Sequence, residues 1–247
     1  FAWISAGFEL WVVRALLVTP FLGSFITVAL GIGGGVLVLT LMATLMPPVA
    51  LIPVHGAVQV GSNIFRAGVM FRHTFWPPIL AFTIGTCFGA LFGGALVINF
   101  PPALVQIGVG GFVIFSVVSK PPVWVSRVPF LTGMVSSFLT MFFGATGVFV
   151  ATFTKSLDLE RKSHVATHAM MMTGQHLIKV VAFATLGFAF GPWVGFILVM
   201  IAAGFVGTLV GRIALNHIGD KNFKRALNMI LLLLSVQLIF SGLRSLF

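Results

Sequence analysis

A glycine-broken apolar run followed by a helix with a polar stripe occurs twice in this chain, 113 residues apart. The first copy centres on Gly31-Ile32-Gly33-Gly34-Gly35 and the second on Gly144-Ala145-Thr146-Gly147. At the same offset His55 matches His168, Asn63 matches His176 and Arg66 matches Lys179. A doubled break of this kind restricts the fold sharply. It is the pattern expected of two structural repeats whose interrupted helices frame a site.

The surroundings of the breaks belong in lipid. The chain has 247 residues, of which 59% are hydrophobic and only 7% charged. A soluble protein of this size needs charged residues to cover its outside. Runs such as Leu10 to Leu30, Ile79 to Phe100 and Met229 to Phe247 approach the ~20 residues that cross a hydrocarbon core of ~30 Å. Ten segments are predicted, at roughly 8–30, 34–46, 50–72, 76–99, 101–119, 125–143, 146–156, 160–187, 190–213 and 223–246. The second and seventh are too short to span untilted, as half-helices are. Gly85, Gly89 and Gly93, like Ala203, Gly207 and Gly211, recur every four residues and predict close helix packing.

Net charge is +10, from 14 basic and 4 acidic residues. With ten crossings, Arg72, Lys120, Arg127, Lys155, Arg161, Lys162, Arg212, Lys221, Lys224 and Arg225 fall in loops on one side, and only Arg14 and Arg244 on the other. The positive-inside rule then places the basic loops in the cytoplasm and both termini outside. Lys120 to Arg127 links two halves, 1–120 and 121–247, of five segments each. An odd number per half makes the repeats inverted. The expected fold is an all-α membrane protein of two inverted repeats with glycine-broken half-helices. No aromatic-interleaved basic patch supports nucleic-acid binding. Cys87 is the only cysteine and excludes an intramolecular disulfide.

Two stripes carry the chemistry. His55, Gln59, Ser62, Asn63 and Arg66 share one helical face, as do His164, His168, Gln175, His176 and Lys179. Polar groups at membrane depth must face protein or water, so paired stripes suggest a lined cavity. Arg66 and Lys179 each lie near a segment end, where a basic side chain can snorkel. Lys179, nearer the outer face, is the stronger candidate for a functional cation. The breaks add donors: a helix beginning inside the membrane presents unpaired N–H groups and partial positive charge. Gly33, Gly34 and Gly35, and Thr146 and Gly147, would let an anion approach such ends. The acids Glu9, Asp158, Glu160 and Asp220 all fall in loops or near segment ends. A site of backbone donors, amides, imidazoles and cations without carboxylates prefers a small anion. Proton coupling through His55, His168 or His176 is open. His164 and His168 have the i, i+4 spacing of a metal pair but no acid or cysteine ligand in the same span, so neither metal nor cofactor is expected. Without an intramembrane acid no hydrolytic triad can be assembled, and an enzyme is not expected.

GIGGGVLVLTLM, with Pro47-Pro48 and a polar-faced helix after it, resembles the first repeat of the sulfite exporter TauE/SafE family. FGATGVFVATFTKSL, followed by HVATHAMMMTGQHLIK, resembles the second. The resemblance covers nearly the whole chain. It implies a multi-pass permease of the bacterial inner membrane that exports small sulfur oxyanions such as sulfite, or organosulfonates such as sulfoacetate. A small-anion channel is the alternative. The partners expected are the anion and the bilayer, with a homodimer left open.

Overall fold

The computed structural model describes residues 5–30, 33–97, 101–120, 122, 127–214 and 220–246. Gly31, Ile32, Phe100, Phe247 and most of the link between halves, Trp124 included, lie outside the described residues. So do the side chains of Arg161, Arg212, Lys221 and Lys224.

Among the described residues there are ten α-helices and no strand. They are α1 (Leu10–Leu30), α2 (Gly34–Leu45), α3 (Pro48–Val69), α4 (Ile79–Val97), α5 (Pro102–Val118), α6 (Pro129–Phe143), α7 (Gly147–Ser156), α8 (Arg161–Thr185), α9 (Val194–Ala214) and α10 (Asp220–Arg244). Proline opens α3, α5 and α6, where its missing amide N–H leaves nothing unpaired. In the sixth segment, predicted over 125–143, the helix among the described residues runs Pro129–Phe143, and residues 125 and 126 lie outside them. The short second and seventh segments are as expected: α2 has 12 residues and α7 has 10. At 1.5 Å per residue these reach roughly 18 and 15 Å, about half of a hydrocarbon core.

The repeat is visible in helix boundaries. α1 and α6 end at Leu30 and Phe143, α2 and α7 begin at Gly34 and Gly147, and α3 and α8 begin at Pro48 and Arg161. Each pair is separated by the same 113 residues that separate the sequence motifs.

The chain folds into two compact units, and each draws on both sequence halves. The first holds α1, α2, the start of α3 to His55, α5, α9 and α10. There α9 packs on α1, α10 packs on α5, and α2 turns back along α1. Small residues set these approaches. A methyl group on Gly207 would collide with the Phe21 carbonyl, and one on Gly211 would lie 3.0 Å from the Phe25 carbonyl oxygen. Gly34 abuts the Gly23 carbonyl and the Thr27 hydroxyl where α2 doubles back.

The second unit holds α3 from Gly56 onward, α4, α6, α7 and α8. α4 packs on α6 through Gly85 and Gly89, which face the carbonyls of Phe130 and Met134, and through Gly93 against Met141. Phe82 of α4, Val150 and Phe153 of α7, and Met171 and Met172 of α8 form its apolar core. The small-residue faces therefore serve packing, as their spacing predicts. Under the 113-residue offset α4 corresponds to α9 and α6 to α1. So the fourth helix of each half packs on the first helix of the other.

Polarity is arranged for lipid. Leu80, Ile84, Phe88, Leu91 and Leu96 of α4, and Met229, Leu233, Val236 and Phe240 of α10, are exposed. The buried polar side chains include Gln59, Asn63, Arg66, Ser136, Thr140, Gln175 and Lys179. Apolar surface outside and polar groups inside is the inverse of a soluble protein and what a hydrocarbon solvent requires. Leu10–Val28, Ile79–Val97, Gly191–Gly211 and Leu227–Arg244 are long and apolar enough to cross a membrane.

Candidate functional site

The second break gathers the polar groups of the second unit. α6 is capped at its C-terminus by Gly144, whose φ of 78° lies where a side chain would be strained. Three residues later α7 begins at Gly147 with Thr146 as its N-cap. Threonine commonly caps the helix it precedes, yet here no side chain caps α7. The Thr146 hydroxyl instead donates to the Ser136 carbonyl at 2.9 Å. It accepts from Gln175 Nε2 at 3.0 Å, while the Ser136 hydroxyl donates to Gln175 Oε1 at 2.9 Å. All three residues are 0% exposed, so the ring of bonds ties α6, the break and α8 together with its polar atoms matched.

Lys179 lies one turn beyond Gln175 on α8 and is also fully buried. Its ammonium donates to the Gly144 carbonyl at 3.0 Å and to the Thr140 hydroxyl at 3.3 Å. The Thr140 hydroxyl itself donates to the Gly144 carbonyl at 2.7 Å. A cation on the terminal carbonyl of α6 meets the negative end of that helix. Glycine makes the space for it: a methyl group on Gly56 of α3 would stand 2.7 Å from Lys179 Cε.

The α3 stripe is arranged differently. Asn63 Nδ2 donates to the Gln59 carbonyl at 2.8 Å. Arg66 Nε donates to the Ser62 carbonyl at 3.2 Å and Nη2 to Asn63 Oδ1 at 3.1 Å. Both acceptors lie one turn back along α3, so the guanidinium turns into the membrane-spanning part of the helix and does not snorkel to its end. Three of its five N–H groups are used by no protein acceptor among the described residues. The acids Glu9, Asp158 and Glu160 are exposed. Neither Arg66 nor Lys179 forms an ion pair among the described residues.

The first break lies in the first unit. Gly33 is the N-cap of α2 with φ 105°, and no side chain caps this start either. His55 reaches the Gly35 carbonyl through Nε2 at 3.1 Å. His168 does the same at the second break, with Nε2 3.4 Å from the Gly147 carbonyl. A carbonyl can only accept, so both rings carry the proton on Nε2 in these bonds. Each histidine thus braces the first turn of a half-helix in its own unit.

Of the residues singled out by sequence, Gly33, Gly34, Gly35 and His55 fall in the first unit. Gln59, Asn63, Arg66, Thr146, Gly147, His168, Gln175, His176 and Lys179 fall in the second. His176 is buried beside Gln175 on the same face of α8. The sequence reading misses Ser136 and Thr140. The repeat carries a signal for Thr140 alone: Thr132, Ser137 and Thr140 recur at the same offset from Thr19, Ser24 and Thr27, whereas Ser136 falls opposite Gly23.

The family model for the sulfite exporter TauE/SafE matches residues 16–238. The chain belongs to the TauE/SafE family. No curated protein and no solved structure matches it. Membership makes it a multi-pass membrane transporter of an anion-exporting family, and TauE/SafE is a transporter family and not an enzyme family.

Proposed function

We propose that the chain is a secondary transporter that exports a small sulfur oxyanion, sulfite or an organosulfonate such as sulfoacetate, by alternating access. The observation that carries this reading is Arg66. A buried guanidinium with no carboxylate partner and three N–H groups unused among the described residues is matched to a ligand bearing two or more oxygens and negative charge. Its fork favours an oxyanion over a spherical halide. Asn63 and Gln59 orient the guanidinium. The uncapped start of α7 adds backbone donors, with Thr146, Gln175 and His176 as its polar frame. In this reading the two halves are inverted repeats, the basic loops face the cytoplasm, and the membrane is the bacterial inner membrane.

The test is flux of sulfite and sulfoacetate in proteoliposomes, with formate and phosphate as controls, at two pH gradients. Saturable, sulfur-selective flux is expected, with trans-stimulation by internal anion. Non-saturating flux of all four anions would make the protein a channel. Arg66→Ala is expected to lower flux to the level of empty liposomes. Normal flux in that variant would remove Arg66 from the site.

A further inference from the structure

The two buried cations occupy equivalent positions in the repeat and are held in opposite ways. At the 113-residue offset Arg66 corresponds to Lys179, Ser62 to Gln175, Asn63 to His176 and Thr27 to Thr140. Lys179 reaches off its own helix to the end of α6, onto the Gly144 carbonyl and the Thr140 hydroxyl. Arg66 lies back along its own helix, on the Ser62 carbonyl and the Asn63 amide oxygen. The threonines differ in the same sense. The Thr140 hydroxyl points forward to Gly144, whereas that of Thr27 points back to the Gly23 carbonyl at 2.8 Å. Equivalent residues in one molecule thus display two arrangements, and Lys179 stands four residues after Gln175 just as Arg66 stands four after Ser62.

We infer that Lys179 is a moving latch of the transport cycle: it clamps the C-terminal end of α6 in the state seen here, and turnover requires it to let go and fold back along α8 onto the Gln175 carbonyl, as Arg66 lies back on the Ser62 carbonyl. This rests on the transporter reading above. It makes Lys179 a positioning residue, acting on the helix break, where Arg66 is the cation that meets the anion. The clamp suits the task because its two acceptors are neutral. An ion pair at this depth would hold the side chain far more firmly, since separating it would leave two uncompensated buried charges. A carbonyl at a helix terminus attracts the ammonium with only partial charge. The folded-back position offers a carbonyl of the same kind, so release exchanges one neutral acceptor for another.

Gly56 allows the latch to be disturbed without altering any of its polar groups. A methyl group there would meet Lys179 at Cε, 2.7 Å away, and at Nζ, 3.5 Å away. Both atoms are the far end of a flexible chain, so the clamp shifts while the fold stays. The experiment compares Gly56→Ala, Thr140→Val and Thr140→Ser with the parent protein, in full-length form. Radiolabelled sulfite and sulfoacetate are followed both by equilibrium binding and by initial-rate flux in proteoliposomes. Gly56→Ala and Thr140→Val are expected to bind within about twofold of the parent while maximal flux falls about tenfold or more. Thr140→Ser, which keeps the hydroxyl, is expected to restore flux. Binding that weakens in step with flux would make Lys179 a fixed part of the anion site and overturn the latch. Unchanged flux in both variants would overturn it equally. If Thr140→Val does not fold, Gly56→Ala decides the matter by the same two readouts. A parent protein that neither binds nor moves either anion would overturn the transporter reading and the latch with it, whereas normal parent flux with contrary variants sinks the latch alone.

Discussion

A guanidinium inside the bilayer must satisfy its donors with neutral acceptors if no carboxylate is near. Arg66 takes one carbonyl and one amide oxygen from its own helix, and the function proposed above assigns the rest of its fork to the anion. Lysine at this position would retain the charge and lose the fork. Arg66→Lys is therefore expected to raise the apparent KM for sulfite about tenfold, with maximal flux within a fewfold of the parent. Concentration-dependent flux measures both. The Gln175 ring makes a prediction about stability. Gln175→Leu would leave the Ser136 and Thr146 hydroxyls without their amide partner inside the protein, at a cost of about 1–3 kcal/mol. A lower melting temperature in detergent is the expected result, and an unchanged one would mean that the ring contributes nothing. At this scale most of the buried polar residues of the candidate site are legible in the sequence. His55, Asn63, Arg66, His168, His176 and Lys179 stand out because a polar stripe in an apolar helix has few explanations. Ser136 and Thr140 do not, because a hydroxyl in a helix usually bonds to the carbonyl a turn back and needs no further partner. Thr27, Thr83 and Ser116 do just that. What separates Thr140 from them is a direction of rotation, which no spacing encodes.

Helix ends in this protein are placed by proline and glycine, and the two residues leave different traces. Proline sets starts that composition can find, as at Pro48, Pro102 and Pro129. Glycine does two separate jobs that sequence alone does not distinguish. Gly33 and Gly144 adopt positive φ at the breaks, whereas Gly85, Gly89 and Gly207 lie within helices and admit a neighbouring backbone. Substitution tells them apart. Gly144→Ala strains the backbone by about 1–3 kcal/mol and is expected to lower stability while still giving folded protein. Gly89→Leu forces a bulky side chain onto the Met134 carbonyl and the backbone of Phe138. It should prevent α4 from docking on α6. Gly111→Ala, in open space on α5, serves as the neutral control. Fluorescence-detected size exclusion should show a monodisperse peak for Gly111→Ala, a less heat-resistant one for Gly144→Ala, and loss of the peak for Gly89→Leu.

Across the molecule, the repeat seen in sequence and the units seen in contacts divide the chain along different lines. The repeat runs consecutively, five helices and then five. The units interleave them, because the fourth helix of each half packs on the first of the other. Periodicity locates helices and repetition pairs them, but a partner across the repeat boundary is chosen by surface shape, which in α4 and α9 resides in glycines whose neighbours are unnamed by the sequence. This exchange governs how the protein can be made. When α4 emerges from the ribosome its glycine face has no partner, since α6 is not yet synthesised, and α1 likewise waits for α9. The first half of the chain must persist in the membrane with these faces covered only by lipid or an insertion factor. Residues 1–120 alone should then be degraded in cells, while the same segment co-expressed with 121–247 should accumulate and restore flux. The tight glycine contacts that hold the finished protein are, during its birth, a period of exposure that lasts until the last helices arrive.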